Sequence, residues 1–257
     1  PAAREAFFRD MDAANVDLKG FTEDFYFKIT YSHLQPVLET IEWLRKETKV
    51  WVELTNLIIP STNDSPDELR RMCDWILRHC GADVPVHFSA FHPDFRMRDL
   101  PPTPHEKLLE AHAIARQAGL QFVYVGNVDD VRHQSTYCPA CGELLIERNW
   151  YALGRYALRG NQCANCQRIV PGNFADRPGD WGRKRQPVDM SRFATNIPSN
   201  SDLVSLSLPA SPSRSTPLAP SRENLMSRNS DAERPLVNAE QEQAILQAAG
   251  ATVVHAI

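Results

Sequence analysis

Ala14-Asn15-Val16-Asp17-Leu18-Lys19-Gly20 decides how the rest of the chain is read. Side chains alternate along a strand, so Asn15, Asp17 and Lys19 share one face while Ala14, Val16 and Leu18 share the other. One face is apolar and the other ends in two opposite charges. In a parallel α/β barrel the apolar face would meet a surrounding helix, and the polar residues would open into the barrel near its C-terminal rim, where such barrels keep their chemistry. A structural Asp/Lys pair on a half-exposed strand is the competing reading of the heptapeptide.

The pattern repeats outward from there. Leu34, Val37, Leu38, Ile41 and Leu44 recur at helical spacing, and residues 49 to 59 form an apolar, β-branched strand stopped by Pro60. Ser65-Pro66-Asp67-Glu68 supplies an N-cap, a proline at the first helical position and a capping-box glutamate. The helix that follows buries Leu69, Met72, Cys73, Ile76 and Cys80. A third strand runs from Val84 to Phe91 and ends at His92-Pro93; Thr103-Pro104-His105-Glu106 repeats the helix-start pattern; Gly119 suits a left-handed C-cap; and residues 121 to 125 make a fourth strand. Strand starts near 14, 49, 84 and 121 recur about every 36 residues with one amphipathic helix between each pair. Alternating units of that size predict parallel strands joined by helical crossovers. Four strands do not close a barrel, so residues 1 to 130 are expected to be the C-terminal half of one. The first residue is proline and the chain stops on an apolar run, which fits a piece of a longer protein.

Beyond the strands the character changes. Cys138-Pro139-Ala140-Cys141 and Cys163-Ala164-Asn165-Cys166 are two C-x-x-C pairs, and a two-residue spacing lets both sulfurs of a pair reach one ion. The reading for residues 131 to 186 is a four-cysteine, zinc-ribbon-like module. Soft thiolate ligands favour zinc, and an auxiliary iron-sulfur cluster is the rival. Arg148, Arg155, Arg159, Arg168, Arg183, Lys184 and Arg185 surround the module, which keeps a nucleic-acid surface in view, although a solvated charged face is the preferred account. Residues 187 to 235 are rich in Ser, Pro and Asn and read as a disordered linker, and 236 to 257 as the start of a further domain.

Composition sets the outer limits. The 257 residues carry a formal net charge of -4, with 42% hydrophobic and 23% charged residues, ordinary values for a soluble chain. No apolar run approaches the ~20 residues needed to span a bilayer. Paired cysteines without secretory features point to a reducing compartment, the cytoplasm. Rim residues then become the site candidates: Asp17 and Lys19 after the first strand and His92 after the third, with Glu53 and Thr55 on one face of the second strand as weaker ones.

Residues 11 to 175 resemble the radical S-adenosylmethionine (SAM) enzyme of the AmmeMemoRadiSam system and, more distantly, the activating enzymes of glycyl radical enzymes such as pyruvate formate-lyase. The residues carrying the resemblance are Asn15 through Phe21, Leu57-Ile58-Ile59-Pro60 with Asn63-Asp64, His87 through Pro93, Val123 through Val128, and the two cysteine pairs. It implies that Asp17 binds the ribose of SAM, that Lys19 pairs with the SAM carboxylate, and that His92 stands against the same ligand. It further implies reductive cleavage of SAM by a [4Fe-4S] cluster to a 5'-deoxyadenosyl radical, with an electron donor and an unknown substrate, a protein among the candidates. The cysteine loop that holds the cluster and the Gly-Gly-Glu strand of that family are absent from this sequence, so the cluster's ligands would lie outside this chain and the fragment alone would be inactive. The alternatives are a barrel enzyme without radicals and a ribbon module that binds nucleic acid or a partner protein.

Overall fold

The computed structural model of the chain describes residues 2 to 179; the basic cluster at 183 to 185, the expected linker at 187 to 235 and the segment 236 to 257 lie outside the described residues. Strands β1 (Ala13–Asp17), β2 (Trp51–Ile58), β3 (Val86–Ala90) and β4 (Val123–Gly126) form one sheet in the order β1-β2-β3-β4. All three pairings are parallel, with Asp17 opposite Thr55, Thr55 opposite His87 and His87 opposite Tyr124. This is the expected partial (β/α) barrel, each strand following its neighbour in sequence.

Helices α3 (Leu34–Glu47), α4 (Pro66–His79) and α5 (His105–Ala118) occupy the three crossovers. Their apolar stripes pack on one face of the sheet, where Ile41, Leu44, Met72, Cys73, Ile76, Leu108 and Ala111 meet Val52, Leu54, Ile58, Val86, Phe88 and Val125. Side chains the size of Leu, Ile or Phe contribute about 1.5–3 kcal/mol each when fully buried. Cys73 and Cys80 belong to this core, as their helical spacing predicts, and burial pushes both thiols up to about 12. The short α1 (Ala2–Phe8) precedes β1, and α2 (Glu23–Ile29), capped by Thr22, lays Phe25 and Tyr26 against Leu57, Ile59 and Phe91 at the C-terminal ends of β2 and β3.

Two helix starts differ from their sequence patterns. Ser65 Oγ accepts the Glu68 N–H as a cap should, but the Glu68 carboxylate turns away from its own helix to accept the Phe21 N–H at 2.7 Å. A half-buried backbone donor 47 residues away outcompetes the local capping box. Thr103 likewise does not cap α5; its buried hydroxyl donates to the Ile58 carbonyl and accepts the Phe91 N–H, while Pro104 occupies the cap position. Gly119 closes α5 at φ 115°, the left-handed C-cap that the sequence predicts.

After β4, α6 (Val131–Gln134) leads into a second, antiparallel layer. Its strands are β5 (Thr136–Tyr137), β6 (Leu144–Asn149) and β7 (Ala152–Tyr156), and beside it lies the small hairpin β8 (Leu158–Arg159) and β9 (Gln162–Cys163). The apolar centre of this layer, Cys138, Leu145, Ile146, Leu158, Cys163 and Val170, includes Phe122 and packs against Tyr124. These two residues lie on the sheet face opposite the helices, so the cysteine module rests along the inner face of β4 as well as joining α6 near the rim. Among the described residues no helix is long and apolar enough to cross a membrane.

Candidate functional site

Strand alternation and register place Asn15, Asp17, Glu53, Thr55, His87, Ser89 and Tyr124 on one face, opposite the helix-covered one. This polar face has two centres, one at the C-terminal edge and one midway along the strands.

At the edge, Lys19 Nζ lies 3.2 Å from Asp17 Oδ1, with the lysine side chain 12% and the aspartate 49% exposed. The ammonium is therefore the buried member and the carboxylate the accessible one. The backbone that carries Lys19 is held from three directions. Asn56 Nδ2 donates to the Leu18 carbonyl at 2.8 Å, Asn63 Nδ2 donates to the Lys19 carbonyl, and Glu68 accepts the Phe21 N–H. Asn63 also accepts the Ile59 N–H at 2.7 Å and donates to Leu57 O at 2.8 Å, so one buried amide ties the end of β2 to the loop after β1. Gly20 is required there because a Cβ would stand 2.6 Å from the Phe25 ring. The Tyr26 hydroxyl is buried beside Lys19, Gly20 and Asp17 without a well-formed hydrogen bond, and burial pushes it up to about 12. His92, two residues past the end of β3, is exposed on the same edge two strands from β1. The structure thus pairs Asp17 with Lys19 and sets His92 apart on its own loop.

Midway, Glu53 Oε2 is 2.7 Å from His87 Nε2, and Glu53 Oε1 accepts the Trp51 indole N–H at 3.0 Å. Burial works to raise the Glu53 carboxyl, but the hydrogen bond and charge of His87, with Trp51 and Arg148, outweigh it and hold the group below the usual carboxylate range. His87 stacks on Tyr124 at 5.0 Å between ring centroids, and the Tyr124 hydroxyl lies 2.9 Å from Thr136 Oγ1. Arg148, from β6 of the cysteine module, donates to that same Thr136 oxygen at 2.5 Å and lies over the Tyr124 ring at 5.6 Å. Thr55 donates to Asn15 Oδ1 at 2.9 Å. Of the two weaker sequence candidates, Thr55 and Glu53, it is Glu53 that stands at the centre of this array. Its histidine partner and the arrival of Arg148 from another layer are set by strand register and leave no signal in local sequence.

The four module cysteines converge. All four sulfurs lie within 4.8 Å of one another, Cys138 Sγ 3.6 Å from Cys166 Sγ and Cys141 Sγ 3.7 Å from Cys163 Sγ. Thiolates about 2.3 Å from one tetrahedral ion sit about 3.8 Å apart, so the separations fit a single ion. A cubane would spread the same sulfurs over four irons and hold them farther apart. The two knuckles repeat one geometry. Gly142 N–H donates to Cys138 O and Gln167 N–H to Cys163 O, each at 2.9 Å, with the donors at φ 74° and 63°. Glycine signals that turn in the first knuckle, and Gln167 hides it in the second. The Glu143 N–H, followed by the Asn165 amide, draws the exposed Cys141 thiol down to about 6.

No family model matches the chain. It is similar to the uncharacterized protein MJ0808 of Methanocaldococcus jannaschii, 48% identical over 138 residues that cover 54% of this chain and 41% of that protein. The chain therefore spans about two fifths of that relative's length. Among solved structures it is similar to a domain of pyruvate-formate lyase-activating enzyme from Bacteroides vulgatus, with a TM-score of 0.41 and 11% identity over 49% of this chain and 74% of that one.

Proposed function

We propose that this chain is part of a radical SAM enzyme in which the C-terminal edge of the sheet holds SAM. The observation that carries the reading is the Asp17–Lys19 pair at the end of β1, on a loop that Asn56, Asn63 and Glu68 hold in place. A buried ammonium suits the carboxylate of the amino-acid end, and the more exposed Asp17 accepts hydrogen bonds from two ribose hydroxyls. Exposed His92 stands on the same edge. The iron-sulfur cluster and SAM together supply a hydrogen-abstracting radical; the residues of this chain bind, orient and enclose. Cluster ligands and an electron donor would come from outside this chain, and the compartment would be the cytoplasm.

Zinc is the ion assigned to Cys138, Cys141, Cys163 and Cys166. A closed four-thiolate set has no open coordination position, so its role here is to fold the layer that covers β4.

The test is SAM titration by calorimetry with the full-length protein and its Lys19→Ala variant. Loss of one charge-assisted contact should weaken binding on the order of ten- to a hundredfold with an unchanged circular dichroism spectrum. Equal affinity in the variant would remove Lys19 from the site.

A further inference from the structure

The four module cysteines are not equally sheltered. Cys138 and Cys163, the first of each pair, are buried in the apolar core with Phe122, Leu145 and Ile146. Cys141 and Cys166, the second of each pair, lie at the surface, and the Asn165 amide donates to Cys141 Sγ at 3.5 Å. Each surface sulfur has a buried one of the opposite pair close by. Cys166 Sγ is 3.6 Å from Cys138 Sγ, and Cys141 Sγ is 3.7 Å from Cys163 Sγ. Burying all four sulfurs would protect a purely structural site, yet this one leaves two open. An accessible thiolate beside a second thiol that can resolve it is the arrangement on which oxidants act.

From this arrangement we infer that Cys141 and Cys166 are sites of reversible oxidation by peroxides, and that the module releases its metal ion when they react. The inference rests on the four-thiolate metal assignment above and not on the SAM reading. The exposed thiolate attacks one peroxide oxygen. The S–O bond forms as the O–O bond breaks, and the departing hydroxide takes a proton from solvent to become water. The buried sulfur opposite then attacks the sulfenic sulfur, so that an S–S bond forms, the S–O bond breaks and a second water leaves. Each disulfide reduces one peroxide by two electrons. Two disulfides consume all four thiolates, and the ion is left without ligands.

Pairing decides what oxidation does to the fold. Disulfides closed within each knuckle would leave the two knuckles unconnected once the ion is gone. Links from Cys141 to Cys163 and from Cys166 to Cys138 tie the knuckles together instead, and each keeps a buried sulfur in the core that includes Phe122. The ion therefore leaves while the layer stays in place, and a thiol reductant regenerates the ligand set. Cys73 and Cys80 serve as an internal control, because both are enclosed in the core beneath the helices.

The experiment adds hydrogen peroxide stepwise to the purified, zinc-loaded full chain, reading free zinc with a chromogenic chelator and disulfides by mass spectrometry. Trypsin cuts after Arg132, Arg148, Arg159 and Arg168, which leaves each cysteine pair on its own peptide, 133 to 148 and 160 to 168. Expected are loss of the bound zinc, covalent joining of those two peptides, unmodified Cys73 and Cys80, and recovery of zinc binding after reduction with dithiothreitol. Zinc retained under excess peroxide, peptides closed separately within each knuckle, or earlier oxidation of Cys73 or Cys80 overturns the proposal. So does oxidation that the reductant fails to reverse. Zinc content is measured before peroxide is added, which separates the two readings. A chain that takes up no zinc refutes the metal assignment, and the peptide map of its oxidised form still decides the pairing.

Discussion

Replacing Asn63 should expose how strongly the rim loop is tied to the sheet. Its side chain is 1% exposed and makes three hydrogen bonds, accepting from Ile59 N–H and donating to the Leu57 and Lys19 carbonyls. Asn63→Ala removes all three bonds, two of them buried and the one to Lys19 half-buried. At roughly 1 kcal/mol for each lost bond, and more where the stranded group stays dry, the cost is about 3 kcal/mol. For a folded unit of this size that corresponds to a fall in melting temperature of about 6–12 °C. Asn63→Asp separates hydrogen bonding from packing. It keeps the volume and the acceptor for Ile59 but turns a donor into an oxygen facing two carbonyl oxygens, so it should destabilise at least as much as alanine. Urea titration followed by circular dichroism measures both. A loss below about 1 kcal/mol in both variants, or a clearly milder aspartate, would refute the reasoning.

Two other outcomes follow from the module and from the outer helices. Cys163→Ser, at a position 1% exposed in the module core, should abolish retention of one metal ion per chain and loosen the Leu145–Ile146 layer while the helical signal of the sheet domain persists. Elemental analysis and amide hydrogen exchange read this, and undiminished metal content would count against the site. His112, half-buried on α5 against His133, Arg116 and Asp130, is lowered to about 4 from 6.5, first by burial and then by its cationic neighbours. The folded chain thus resists a proton that the unfolded chain accepts. Stability should fall as the pH drops from 6.5 and level off near 4, and His112→Gln should flatten that part of the urea-midpoint profile. A variant with the same slope would assign the acid sensitivity elsewhere.

Much of the architecture is written in local chemistry. The apolar stripes of α3, α4 and α5, the Gly119 stop and the spacing of the four strands are each properties of a few neighbouring residues, and together they specify the parallel sheet. The cysteine pairs are legible for the same reason: the knuckle is a short-range object. What escapes is contact set by register across the sheet. Glu68 and Thr103 sit where a helix cap is expected, yet each is diverted to a backbone group far along the chain. The Glu53–His87 pair spans 34 residues, and Arg148 joins it from another layer. The Asp17–Lys19 pairing is legible because the two are only two residues apart, although β1 ends at Asp17 and Lys19 lies on the loop that follows instead of on the strand face; His92, on a distant loop, carries no such constraint.

The strict β1-β2-β3-β4 order has a consequence for biosynthesis. Each strand, on leaving the ribosome, finds its partner already extruded, so the sheet grows by accretion at a single edge and never waits for a distant segment. Phe122 and Tyr124, at the start of the last strand of this sheet, remain uncovered until the cysteine layer emerges and wraps, so a chain in which that layer fails to order is left half-clad along one edge.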